Sequence, residues 1–149
     1  MDQRRFNMTG KGLDERIKGA LKRDQGFDDE QIKIIEGNPK QREIVEAGPI
    51  LVSKKLVATC VEAEHCTFNK IGDRYVFNAF GGMIKDETCD NPCLWALSVF
   101  FPFCYMVYDR AASGLDPNGM HLDHVRCPDT GCRYGGFGTA MFKLSVEDA

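Results

Sequence analysis

PCLWALSVFFPFCYMVYDR, residues 92–110, is the stretch that decides the fold. It is the one apolar segment longer than a strand, so the sequence predicts a central buried helix there, bent at Pro102, whose ring removes a helical N–H. The most apolar part, residues 94–107, is too short to cross a bilayer and has Pro102 inside it, so it reads as a buried element and no membrane span is expected. On the N-terminal side, residues 50–52 and 56–61 are rich in β-branched residues and read as a strand. A second strand, residues 74–80, opens after Gly72-Asp73 and stops at Gly81-Gly82. On the C-terminal side, residues 122–127 and 139–146 read as two more strands. Gly135-Gly136-Phe137-Gly138 between them lacks the lysine of a phosphate loop and reads as hairpin geometry. Strands on both sides of one long helix predict an α+β fold, with a small, mainly antiparallel sheet packed on that helix.

Upstream of Gly48-Pro49 the chain changes character: all seven cysteines lie after that point. Leu13, Ile17 and Leu21 recur at i, i+4 and i+8 and draw a narrow apolar stripe on a helix ending near residues 24–26. Asp28 and Gln31 form a capping-box pattern, with Phe27 placed to staple onto Ile32, and open a helix over residues 29–36 closed by Gly37. Pro39 sits where a first helical residue loses nothing by lacking an N–H, and Gly48-Pro49 supplies the stop. The expected organisation is therefore a helical N-terminal arm, residues 1–48, followed by a cysteine-rich α+β domain, residues 49–149. Such short helices with thin apolar faces need a surface to lie against. No basic recognition helix appears among them, which argues against a DNA reader.

The chain has 149 residues, a formal net charge of −3, an isoelectric point near 5.6 and a mean hydropathy of −0.32. That balance offers no general attraction to phosphate backbones or anionic lipid. The opening MDQRRFNMTGKGLDER has no apolar core of the kind a secretory signal carries, so a cytoplasmic location is expected. An odd number of cysteines in a reducing compartment makes a disulfide framework a poor explanation, leaving burial, metal or reactivity.

Cys89-x3-Cys93 lies at the entry to the central helix, and Cys127-Pro-Asp-Thr-Gly-Cys132 forms a knuckle-like loop after a strand. Two close pairs on loops suit a tetrahedral thiolate site, because loops let side chains converge on one ion. The candidate ligands are Cys66, Cys89, Cys93, Cys127 and Cys132, holding zinc or an iron–sulfur cluster. Cys60, in a strand, and Cys104, in the apolar helix, read as small buried hydrophobes. His121 and His124 would face opposite sides of a strand and read as surface or hydrogen-bonded histidines. A nucleophilic dyad of Cys66 or Cys127 with a histidine stays open, although no third, orienting group is identifiable. Asp73 and Asp129 read as Asx-turn caps.

Cys66, Gly72-Asp73, Cys93 with Ala96, Pro102, Cys127-Pro128-Asp129 and Phe142 together resemble a motif series, which covers residues 56–146. It is similar to that of an uncharacterised family of small prokaryotic cysteine-containing proteins frequent in anaerobes. Members of that family usually carry a histidine shortly after the first cysteine, where this chain has Asn69. The resemblance implies no reaction. The leading expectation is a small accessory subunit of a larger cytoplasmic enzyme. Its Cys66/Cys93/Cys127 neighbourhood would bind the metal, with Cys132 or Cys89 completing the set. Its arm would dock on the larger subunit through Leu13, Ile17, Leu21, Ile32 and Ile35. An independent enzyme with a reactive cysteine and a zinc-stabilised binding domain are the rival expectations.

Overall fold

A computed structural model describes residues 12–149 and divides the chain into two compact units, the first ending at Glu46 and the second spanning Ala47–Ala149. The opening residues of the arm, 1–11, lie outside the described residues.

The described residues of the first unit form three helices: α1 (Glu15–Gln25), α2 (Asp29–Gly37) and α3 (Pro39–Glu46). Each begins at a side-chain cap, two of them at the starts the sequence predicts. The Asp14 carboxylate accepts the Arg16 N–H at 2.7 Å, and α1 ends at Gly26 in the left-handed conformation, which glycine adopts without steric cost. Asp28 and Gln31 form the reciprocal capping box, at 2.8 and 2.9 Å. The Asn38 side chain accepts the Gln41 N–H at the start of α3. Glu36 ties the unit together by accepting the Leu13 N–H at 2.9 Å and pairing with Lys18 at 3.0 Å. Leu13, Ile32 and Ile35 are buried, whereas Ile17 and Leu21 are half-exposed.

The second unit opens with a correction. Residues 50–52 are not strand but belong to a short helix, α4 (Gly48–Val52), with Pro49 in its first turn. Gly48-Pro49 is thus a helix start, the use proline serves best. Four strands follow: β1 (Lys54–Glu64), β2 (Arg74–Asn78), β3 (His124–Arg126) and β4 (Thr139–Asp148). They form one sheet in the order β2-β1-β4-β3, antiparallel at every junction. The second strand stops two residues short of Phe80, because the Asn78 side chain accepts the Phe80 and Gly82 N–H groups and turns the chain.

Between β2 and β3 runs α5 (Leu94–Ala112), helical through Pro102. Ala96, Phe100, Phe103, Val107 and Ala111 form a stripe at helical spacing and bury against the sheet. The sheet answers with alternating residues: Leu56, Ala58 and Cys60 from β1, and Ala140, Phe142 and Leu144 from β4. Tyr75, Phe100 and Phe142 meet edge to face, with ring centroids 5.1–5.7 Å apart. A bulge between Cys60 and Glu62 resets the alternation, so that Ala63 pairs with Ala140 and packs on the same core. The fold is therefore α+β, a small antiparallel sheet with one central apolar helix packed on it. Among the described residues no helix is long and apolar enough to cross a membrane.

Phe142 is fully buried at the centre of the three-ring cluster. Phe142→Ala is expected to cost about 3–5 kcal/mol of stability, measured as a drop in the denaturant midpoint.

Candidate functional site

Three of the five candidate ligands share one cavity. Cys66 follows the end of β1, Cys93 is the residue from which α5 starts, and Cys127 is the first residue after β3. Their side chains line a cavity of about 320 Å³. Cys89 is half-buried and Cys132 exposed, and neither lines it. All seven cysteines are free thiols.

Backbone features at the strand ends bring these segments together. His65 has φ 51°, a left-handed conformation rare outside glycine, which turns the chain sharply after β1. Gly138, just before β4, lies so close that an added Cβ would sit 2.4 Å from the His65 carbonyl. Only glycine permits that approach. In the loop between β3 and β4, the Asp129 carboxylate accepts the Gly131 N–H at 2.8 Å and the Phe137 N–H at 3.0 Å. This is the Asx-turn role expected for Asp129; Asp73 differs, its carboxylate reaching back to accept the Lys70 N–H at 2.7 Å, three residues before it.

A buried polar chain links two of the thiols. Asn69, 2% exposed, is the one buried polar residue among the described residues. Its backbone N–H and its side-chain amide both donate to the Cys66 sulfur, at 3.3 and 3.4 Å. The Tyr75 hydroxyl donates to Asn69 Oδ1 at 2.5 Å and accepts the Cys93 N–H at 3.0 Å. Burial pushes that hydroxyl above the ordinary tyrosine range, which keeps it a donor. On the third thiol, the Cys127 sulfur accepts the Ala140 N–H at 3.2 Å. Two of the three sulfurs, those of Cys66 and Cys127, therefore act as hydrogen-bond acceptors.

Aromatic side chains surround the opening. Phe68, Trp95 and Phe137 line the cavity yet are largely exposed, Phe137 at 84%. His65 also borders it, with an exposed imidazole. Neither His121 nor His124 does: His121 is exposed, and the His124 ring is hydrogen-bonded to Asp123 at 2.7 Å. Among the described residues, no group of three or more His, Cys, Asp or Glu side chains is gathered closely enough to hold a metal ion as it stands. The three sulfurs share a cavity without yet meeting at one point.

Sequence reasoning missed Asn69, Tyr75 and the aromatic rim. The signal for Asn69 was its place three residues after Cys66, which lets its N–H turn back onto the sulfur. Tyr75 carried none, since an alternating strand leaves open which tyrosine ends under a helix start. No protein-family model, no curated protein and no solved structure matches the chain.

Removing Asn69 strips partners from a buried hydroxyl and a thiol at once. Asn69→Ala is expected to cost about 1–3 kcal/mol, read by urea unfolding.

Burial pushes the Cys60 thiol from 9.0 up to about 11, and it shifts the Cys89 and Cys104 thiols and the Tyr108 phenol upward too. Below pH 9 these groups are protonated in folded and unfolded chains alike, so their contribution is fully present. As the pH rises through the window from 9 to 11, the unfolded chain gives up its protons first and stability falls, by up to about 3 kcal/mol from Cys60 alone. Unfolding midpoints at pH 8 and pH 11 should differ accordingly.

Proposed function

We propose that the Cys66/Cys93/Cys127 cavity is a thiolate site for a thiophilic metal centre, zinc or iron–sulfur, in an accessory module of a larger cytoplasmic enzyme assembly. The observation that carries this reading is that three thiols from distant stretches of sequence line a single cavity. Thiolates are the ligands that zinc and iron–sulfur clusters select. The N–H groups aimed at the Cys66 and Cys127 sulfurs offset the negative charge that such ligands carry. Cys66, Cys93 and Cys127 are the residues that would hold such a centre, which would need the three sulfurs closer together than they stand. Seven free thiols fit a reducing compartment.

The assembly role rests on exposed apolar surface. Leu13, Ile32 and Ile35 are already buried in this chain, so docking through the first unit falls to the half-exposed Ile17 and Leu21 and to Ile34, which is 64% exposed. Phe68, Trp95 and Phe137 give the thiol cavity an apolar collar of the kind that a partner surface covers.

A second reading, an enzyme with a reactive cysteine, is favoured by one observation: His65 borders the same cavity as the three thiols. Elemental analysis and a visible spectrum of anaerobically purified protein separate the two. The metal reading expects about one centre per chain, lost in Cys66→Ser, Cys93→Ser and Cys127→Ser and retained in Cys132→Ser. Visible absorption assigns iron–sulfur, and its absence with bound metal assigns zinc. Metal-free protein with one fast-alkylating thiol, slowed by His65→Ala, would overturn the metal reading.

A further inference from the structure

The second unit has a larger cavity, of about 400 Å³, separate from the thiol site. It lies between β1 and α5, and its existence follows from the sequence of that helix. Beside the stripe that packs on the sheet, α5 carries a second apolar row, Leu97, Phe101, Cys104, Tyr105 and Tyr108, again at helical spacing. The sheet is too small to cover both rows. Opposite the second row, Ala58 on β1 presents only a methyl group where its neighbours on that face, Leu56 and Cys60, present larger side chains. The space left over is the cavity.

Its walls define what would fit. None of the twelve lining residues carries a charge. The Tyr108 hydroxyl is spent on the Ala79 carbonyl. Burial holds the Cys104 thiol in its neutral form. Leu56, Ala58, Phe100 and Phe103 make a fully buried floor, whereas Phe80, Phe101 and Tyr105 stand exposed at the mouth. The rim is rigid. Asn78 holds the turn carrying Phe80 through two N–H groups, Gly81 supplies the positive φ of 84° that the turn needs, and Phe101 and Tyr105 brace each other edge to face at 5.1 Å. An apolar floor, aromatic walls and a volume within the usual range of about 300–1,000 Å³ fit a small-molecule site.

We infer that this cavity binds a neutral, apolar, planar ring compound. The ligand's rings lie against the aromatic walls, and an anionic analogue is disfavoured because no charged group lines the cavity to receive its carboxylate. The site is independent of the thiol cavity and needs no metal.

The test is a fluorescence titration of the full-length protein with Nile red, a neutral planar dye, followed by competition with phenanthrene and with phenanthrene-9-carboxylate. Saturable binding at one dye per chain is expected, displaced by phenanthrene and at least about tenfold less well by the carboxylate. Ala58→Leu fills the floor and should weaken the dye by about tenfold or more while holding or raising the melting temperature. Tyr105→Ser, at the exposed rim, should weaken it without unfolding the chain, and Cys66→Ser should leave it unchanged. Non-saturable binding, equal affinity in Ala58→Leu and Tyr105→Ser, or equal competition by the carboxylate would overturn the inference. So would light scattering that shows a dimer dispersed by Phe101→Asp, since a second copy would then cover this face.

Discussion

A single phenol carries much of the second unit. Tyr75 is fully buried, with its ring wedged between Phe100 of α5 and Phe142 of β4, and a hydroxyl in that position must find partners or cost several kcal/mol. It donates to the Asn69 side-chain Oδ1 in the loop after β1 and accepts the Cys93 N–H at the start of α5, with the Cys89 thiol beside it. The same residue therefore packs the core and fixes where the helix begins relative to the sheet. Because Asn69 in turn donates twice to Cys66, the position of a candidate ligand is coupled to the packing of the core.

Much of this fold is legible in the sequence, for identifiable reasons. The capping box at Asp28 and Gln31, the glycine stop at Gly26 and the proline start at Pro39 are local rules, and local rules need no knowledge of the rest of the chain. The long apolar run became the central helix because nothing else buries that many apolar residues in sequence. Residues 50–52 show the limit: their β-branched character favours a strand, but Pro49 and the preceding glycine start a helical turn, and backbone constraint prevails over side-chain preference in so short a segment.

The candidate site was legible in part. Cys66, Cys93 and Cys127 stand at the end of a strand, the start of a helix and the end of another strand, the positions from which a side chain can reach a shared end of the fold. Cys89 and Cys132 drew attention through spacing alone, and spacing says nothing about direction; Cys89 is half-buried beside the Tyr75 hydroxyl without lining the cavity, and Cys132 faces solvent. The contribution of Asn69 and Tyr75 could not be read beforehand, because it depends on long-range pairing between β1, β2 and α5. The two apolar rows of α5 were visible as one undivided hydrophobic run, and only the narrowness of the sheet separates them into a packed row and an open one.

The central proposal is that the sulfurs of residues 66, 93 and 127, which share one cavity, ligate one metal centre. X-ray absorption at the metal edge of protein isolated without oxygen tests it most directly. The account predicts a shell of three protein sulfurs at about 2.3 Å for zinc, or the sulfur-rich shell of a cluster for iron, with the shell depleted when Cys93 is replaced. A first shell of nitrogen and oxygen only, or one unaltered by that replacement, would contradict it.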